Sequence, residues 1–215
     1  MTTANSTTRF SDRVDAYVAA RPGYPPELAP MLMRVFELPA DAIVADLGSG
    51  TGLSCEPFLR AGLHVIGVEP NAAMRAAGDA YLASYPRFRS VDGRSEVTTL
   101  PAASVDLFIA GQAFHWFDVP AARAEALRFL KRPANAAVFW NDRISRGTPF
   151  AEGYERLLLD FGTDYVEIRH RHGQEDLVNE FFGHTHVRIA VLPNPTRLDY
   201  ATLENRLNSA SYVPR

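Results

Sequence analysis

Apolar and polar positions follow two regimes along this chain. Through residue 142, short unbroken apolar runs of strand length are each followed by a turn and then by apolar residues at helical spacing. Strands are predicted at residues 42–47 (AIVADL), 63–68, 87–91, 105–110 (VDLFIA) and 136–140 (AAVFW). Helices are predicted at 12–20, at 26–38, from the first turn through Arg60, at 71–84 with Asn71 as cap, and at 120–130. Runs that stay apolar instead of alternating belong to strands covered on both faces, and strands interleaved with helices give a parallel sheet. The fold class is therefore α/β, a Rossmann-like, mostly parallel sheet with helices on both faces.

From residue 143 the pattern changes. Helices are predicted at 149–161, 174–182 and 200–208, with one further strand near 187–192. A Pro-Asn-Pro turn and a helix follow, so a final antiparallel strand is expected to be missing, leaving six strands and an exposed edge open to self-association. The expected organisation is a disordered tail at 1–8, a helical lid at 9–38, a binding core at 39–142, and cap helices with an edge strand at 143–215.

Composition narrows the function. Of the 215 residues 47% are apolar, enough for a full core, and 22 basic against 25 acidic residues give a net charge of −3 without a basic run. Nucleic acid is thereby disfavoured as a partner. Cys55, the one cysteine, allows neither an internal disulfide nor a multi-cysteine metal site. The first eight residues have no signal-peptide pattern, and no apolar run approaches the ~18 residues of a membrane span. A cytoplasmic protein is the expectation.

The chemistry concentrates in Val44-Ala45-Asp46-Leu47-Gly48-Ser49-Gly50-Thr51-Gly52-Leu53, an apolar strand running into three alternating glycines and a helix. Glycine suits a sharp turn with positive φ, or a backbone that a ligand must touch, and parallel sheets bind ligands at the carboxyl ends of their strands. Glu69 closes the second strand 21 positions after Gly48, where a carboxylate can accept hydrogen bonds from a ribose diol. A nicotinamide-binding loop wants glycine where Leu53 stands, and Asp46 would repel a pyrophosphate. S-adenosylmethionine has a ribose and an amino group and no phosphate, so it fits better.

Here a resemblance becomes specific. Asp46-Leu47-Gly48-Ser49-Gly50-Thr51-Gly52 with Val65-Ile66-Gly67-Val68-Glu69-Pro70 resembles the first two motifs of class I S-adenosylmethionine-dependent methyltransferases. Gly93-Arg94-Ser95-Glu96, Gln112-Ala113-Phe114-His115-Trp116-Phe117 and Phe139-Trp140-Asn141 extend the likeness to the methyltransferase type 11 superfamily, in the branch near trans-aconitate methyltransferase. The resemblance implies that Asp46 holds the cofactor's amino group, directly or through water, with Gly48 and Gly50 beside it. It further implies that Glu69 binds the ribose, Pro70 flanks the adenine, Ser95 offers backbone contacts and Gln112 meets the methionine part. Arg21, in a segment that folds over the cofactor in that branch, is expected to pair with its carboxylate. Tyr17 and Tyr24 either screen the sulfonium or pack on the core.

His115 is the candidate general base or orienting group, with a polar cap on its short segment as the plainer alternative. The pairs His170/His172 and His184/His186 lack a third ligand at metal spacing and read as solvated loops. Relatives carry aspartate in place of Arg94 and Pro-Gly-Gly in place of Pro133-Ala134-Asn135. The expected activity is methyl transfer to an oxygen (carboxylate or hydroxyl) or nitrogen of a small molecule. The alternatives are a non-catalytic cofactor-binding or partner-binding protein and, further off, a nicotinamide oxidoreductase.

Overall fold

The computed structural model describes residues 22–163, 165–166, 175–183, 187–209 and 213. Helix α1 (Leu28–Val35) leads into β1 (Ile43–Leu47), α2 (Glu56–Arg60), β2 (His64–Val68), α3 (Ala72–Tyr81), β3 (Phe88–Val91) and β4 (Val105–Gly111). After a 3-10 turn at Phe114–Trp116 come α4 (Val119–Phe129), β5 (Leu130–Phe139), α5 (Pro149–Phe161), α6 (Glu175–Phe182) and α7 (Tyr200–Ser209).

Among the described residues five strands form one sheet in the order β3-β2-β1-β4-β5, and every pairing between them is parallel. Successive strand side chains point to opposite faces, which explains the unbroken apolar runs. Ala45 and Leu47 of β1 and Phe108 and Ala110 of β4 pack on one face with Phe114, Phe129 and Phe181. Val44, Leu107 and Ile109 pack on the other with Phe58, Leu63 and the α1 residues Leu28, Ala29 and Leu32. At about 25 cal/mol per Å² of apolar surface removed from water, a sheet covered twice holds its central strands rigidly. The site's loops are anchored on those strands.

The chain runs outward from β1 to β2 and β3, then returns to place β4 on the other side of β1. Where the direction reverses, the loops after β1 and β4 diverge and open a crevice. Asn71 caps α3 as expected, its Oδ1 accepting the N–H groups of Ala73 at 2.9 Å and Met74 at 3.1 Å.

Two expectations need correction. Residues 187–192 form no strand; 187–199 carry no regular structure, and β5 pairs only with β4 among the described residues. The alternation of Val187, Ile189 and Val191 looks like a buried strand face, yet Ile189 and Val191 are 87% and 89% exposed. Without burial of that face nothing drives pairing, and Pro193 and Pro195 remove two donors just beyond it. The second concerns β5, which begins at Leu130 instead of 136. Leu130 pairs with Val105, and the register shifts before Asn135 pairs with Leu107. The polar stretch Lys131-Arg132-Pro133 hid that beginning from the apolar pattern. The predicted helix at 12–20, Tyr17, Arg21 and the four paired histidines lie outside the described residues.

Candidate active site

One cleft opens at the carboxyl ends of the strands, and most of the residues singled out in the sequence line it: Gly48, Gly50, Glu69, Pro70, Ser95 and Gln112. Its floor is the glycine loop. Gly48 has φ +72, and a Cβ there would lie 2.6 Å from the Ala113 Cβ, so both the backbone angle and the approach of the β4 loop require glycine. The Gly48 N–H donates to the Val68 carbonyl at 2.8 Å, tying the loop to the end of β2.

Glu69 is buried beside this loop. Its Oε2 accepts the Gly50 N–H at 2.9 Å and its Oε1 accepts the Asn71 N–H at 2.8 Å. Burial raises its pKa, against the opposing effect of those two donors and the charge of Arg75. Each carboxylate oxygen keeps a further lone pair for a ligand hydroxyl. The acid is thus held in place by the two elements that flank the cleft.

Asp46 does not reach the cleft wall. It is fully buried, its Oδ2 accepting the Ser54 hydroxyl at 2.5 Å and the Cys55 thiol at 3.1 Å, while its Oδ1 has no side-chain hydrogen-bond partner among the described residues. Burial pushes its pKa up to about 7; the Ser54 and Cys55 contacts lower it and the charge of Glu69 adds to the rise. Ser54 does line the cleft. Sequence spacing places Asp46 at the correct strand end, but Ser54, whose hydroxyl donates to its Oδ2, screens it from the cleft.

The end of β4 supplies the other wall. Gln112 has φ +60, rare for a residue with a side chain, and its N–H donates to the Phe139 carbonyl at 3.0 Å. Non-glycine residues held in this region cluster at functional sites. In the 3-10 turn that follows, three residues make one turn, so neighbouring side chains diverge by ~120°. Phe114 is buried in the core and Trp116 lines the cleft, while His115 lies outside the lining, its ring 4.8 Å from that of Trp116. The structure therefore brings together the expected cofactor residues on the described chain other than Asp46, and does not bring His115 to them.

Several lining residues had weaker signals in the sequence. Pro22 and Tyr24 close one rim. The Asn141 Nδ2 donates to the Pro22 and Gly23 carbonyls, and the Asn194 Nδ2 donates to Gly23 O and Asn141 Oδ1, both at 2.9 Å. Arg206, on α7, also reaches the cleft. No local motif marks it, because α7 lies far along the chain from the other lining residues.

Arg94, Ser95 and Glu96 are carried by the loop between β3 and β4, which Glu125 of α4 anchors. The Glu125 Oε1 accepts both the Thr98 N–H at 2.8 Å and the Thr98 hydroxyl at 2.6 Å. Its hydrogen bonds with Arg128, then those with Thr98, hold its pKa at about 2, below the ordinary 4.5. A lowered carboxylate contributes stability that is complete above about 4.5 and is lost as pH falls towards 2. Glu125→Ala is expected to speed hydrogen exchange at the Thr98 amide at neutral pH, with little change at Ala45 or Phe108. Unchanged exchange at Thr98 would show that the loop is held by other contacts.

Residues 45–137 match the family model of the type 11 Methyltransferase domain. An uncharacterized methyltransferase of Mycobacterium tuberculosis is 36% identical over 138 residues, 64% of this chain and 54% of that protein. One from Schizosaccharomyces pombe is 30% identical over 150 residues, 69% of this chain and 58% of that protein. The chain thus spans about half the length of these curated relatives. Among solved structures, a candidate Type II methyltransferase from Anaeromyxobacter dehalogenans superposes with a TM-score of 0.56 at 29% identity, covering 69% of this chain and 63% of that one. A candidate S-adenosyl-L-methionine-dependent methyltransferase from Methanococcus maripaludis shares the fold, with a TM-score of 0.57 at 18% identity over 84% of this chain and 78% of that one.

Proposed function

We propose that this chain, whose residues 45–137 match the methyltransferase domain model, is a class I S-adenosylmethionine-dependent methyltransferase that transfers a methyl group to an oxygen or nitrogen of a small molecule. The observation that carries the reading is Glu69, a buried carboxylate fixed to the Gly50 N–H at the edge of a glycine floor. That arrangement fits a ribose diol lying over the loop. The fit continues along the cleft: Pro70 and Met74 give an apolar edge for a purine, Ser95 a polar one, and Gln112 and Ser54 line the end where an amino acid would lie.

When bound, the cofactor supplies a methyl group on a sulfonium that is its own leaving group. The chain's residues then have to align the acceptor and exclude water, which converts an encounter into a held geometry. Glu69 and the glycine loop fix the ribose. Tyr24, Trp116 and Phe117 wall the cleft with aromatic surface. In this reading His115 supports Trp116, and the rate comes from alignment more than from a general base. The lid function falls on Pro22 to Tyr24, where the Asn141 and Asn194 side chains hold the carbonyls, since α1 is built into the core.

Arg206 favours an acidic acceptor, in keeping with the branch that the sequence resembles. A guanidinium presents a planar fork of donors suited to a carboxylate. Arg206→Met is expected to raise KM for a carboxylate acceptor at least tenfold with kcat within about threefold, and to leave a neutral phenolic acceptor unaffected. An equal effect on both acceptors would remove Arg206 from acceptor recognition. The activity itself is tested by screening acidic and phenolic metabolites for formation of S-adenosylhomocysteine. Turnover with an acceptor that is lost in Glu69→Ala supports the reading, and binding without turnover of any acceptor points to a non-catalytic protein.

A further inference from the structure

Asp46, expected from sequence to meet the cofactor, is sealed behind the loop, and Ser54 stands between it and the cleft. We infer that Ser54 is the group that receives the cofactor's amino group, and that Asp46 is a positioning residue acting through it. The inference rests on the reading of the cleft as an S-adenosylmethionine site.

The geometry is directional. A hydroxyl has one proton and two lone pairs. With its proton committed to the Asp46 Oδ2 at 2.5 Å, Ser54 can offer only acceptor capacity towards the cleft. An ammonium group has donors and no acceptor, so the match is selective for a cation. The position is also fixed. A Cβ on Gly111 would meet the Ser54 Cβ at 2.7 Å and the Tyr24 hydroxyl at 2.7 Å, so Ser54 and Tyr24 both pack closely against the end of β4. Cys55 donates to the same carboxylate oxygen from the next position, which keeps Asp46 turned to Ser54.

Proton balance follows from the same contacts. The groups acting on Asp46 are Ser54, Cys55, the Gly111 N–H and the more distant Glu69. With Asp46 sitting at about 7, a substantial fraction of molecules carries its proton at neutral pH. An ammonium group on Ser54 favours the ionised carboxylate, so binding expels that proton to the buffer. No bond other than the carboxyl O–H is broken.

The test is calorimetric and uses the full chain with two probes. S-adenosylhomocysteine carries the amino acid; 5′-methylthioadenosine keeps the nucleoside and lacks it. Ser54→Ala is expected to weaken S-adenosylhomocysteine about tenfold or more and to leave 5′-methylthioadenosine unchanged, which also reports that the variant is folded. Ser54→Thr, which keeps the hydroxyl, restores the affinity. Repeating the wild-type titration at pH 7 in phosphate and in Tris should show release of a fraction of a proton with S-adenosylhomocysteine, absent with 5′-methylthioadenosine and absent in Asp46→Asn. Equal losses for the two probes, no loss at all, or proton release that survives in Asp46→Asn would overturn the assignment of Ser54 while leaving the cofactor site standing. Failure of both probes to bind the wild-type chain would instead remove the methyltransferase reading, and this inference with it.

Discussion

Glu69→Ala is expected to weaken S-adenosylhomocysteine binding at least tenfold, the largest loss of affinity from any single side chain in the cleft. On the proposed reading, the substitution removes two charge-assisted hydrogen bonds to a ribose diol, each worth about 1.5–3 kcal/mol. The substitution also releases the Gly50 and Asn71 N–H groups, which Glu69 now holds at 2.9 and 2.8 Å. Glu69→Gln separates the two contributions. It keeps one carbonyl acceptor and the shape of the side chain, so the loop stays closer to its place while the charge is gone. Titration of both variants should rank wild type above Gln and Gln above Ala. Affinity unchanged in Glu69→Ala would place the ribose elsewhere.

Asp46→Asn is expected to raise stability at pH 8 while weakening the cofactor's hold. The carboxyl is pushed from 3.8 to about 7, chiefly by burial. A carboxyl raised on folding makes the native state bind more protons than the unfolded one between those values. Stability therefore falls as pH rises through that window, and the loss is complete above about 7. Moving the group from 3.8 to about 7 corresponds to about 4 kcal/mol at most. An amide has no charge to desolvate and escapes this. Part of the gain is lost because Ser54 must turn its hydroxyl to suit the new amide. In thermal melts the variant should exceed wild type at pH 8, with the difference shrinking towards pH 4. A variant less stable than wild type at both would mean that the Asp46 contacts outweigh its desolvation. A carboxylate whose charged form is costly to bury is one that a cationic ligand can relieve.

Much of this was written in local pattern. The strands at 43–47, 64–68 and 105–111 were legible because both faces of a parallel sheet are buried, so each strand is a continuous apolar run. Gly48 and Glu69 were legible because the site is built from two adjacent strand ends, where backbone geometry restricts the residue types. What the sequence hid depended on direction and distance. Asp46 lies at the correct position along β1 but is screened from the cleft by Ser54, whose hydroxyl donates to its Oδ2, and spacing alone does not foretell that. His115 and Trp116 are neighbours in sequence, and only the 3-10 turn decides which one lines the cleft. Val187, Ile189 and Val191 alternate as a strand would, yet strand pairing needs a buried face that they do not have. Arg206 comes to the cleft from α7, far along the chain from the other lining residues, and no short-range signal foretells it.

The central claim is that the cleft takes S-adenosylmethionine and not a dinucleotide. Parallel calorimetric titrations of the full chain with S-adenosylhomocysteine and with NAD test it most directly. The account predicts saturable binding of one S-adenosylhomocysteine per chain, lost or sharply weakened in Glu69→Ala, and no heat from NAD above dilution. Binding of NAD in preference to S-adenosylhomocysteine, or no binding of S-adenosylhomocysteine by the wild-type chain, would contradict it.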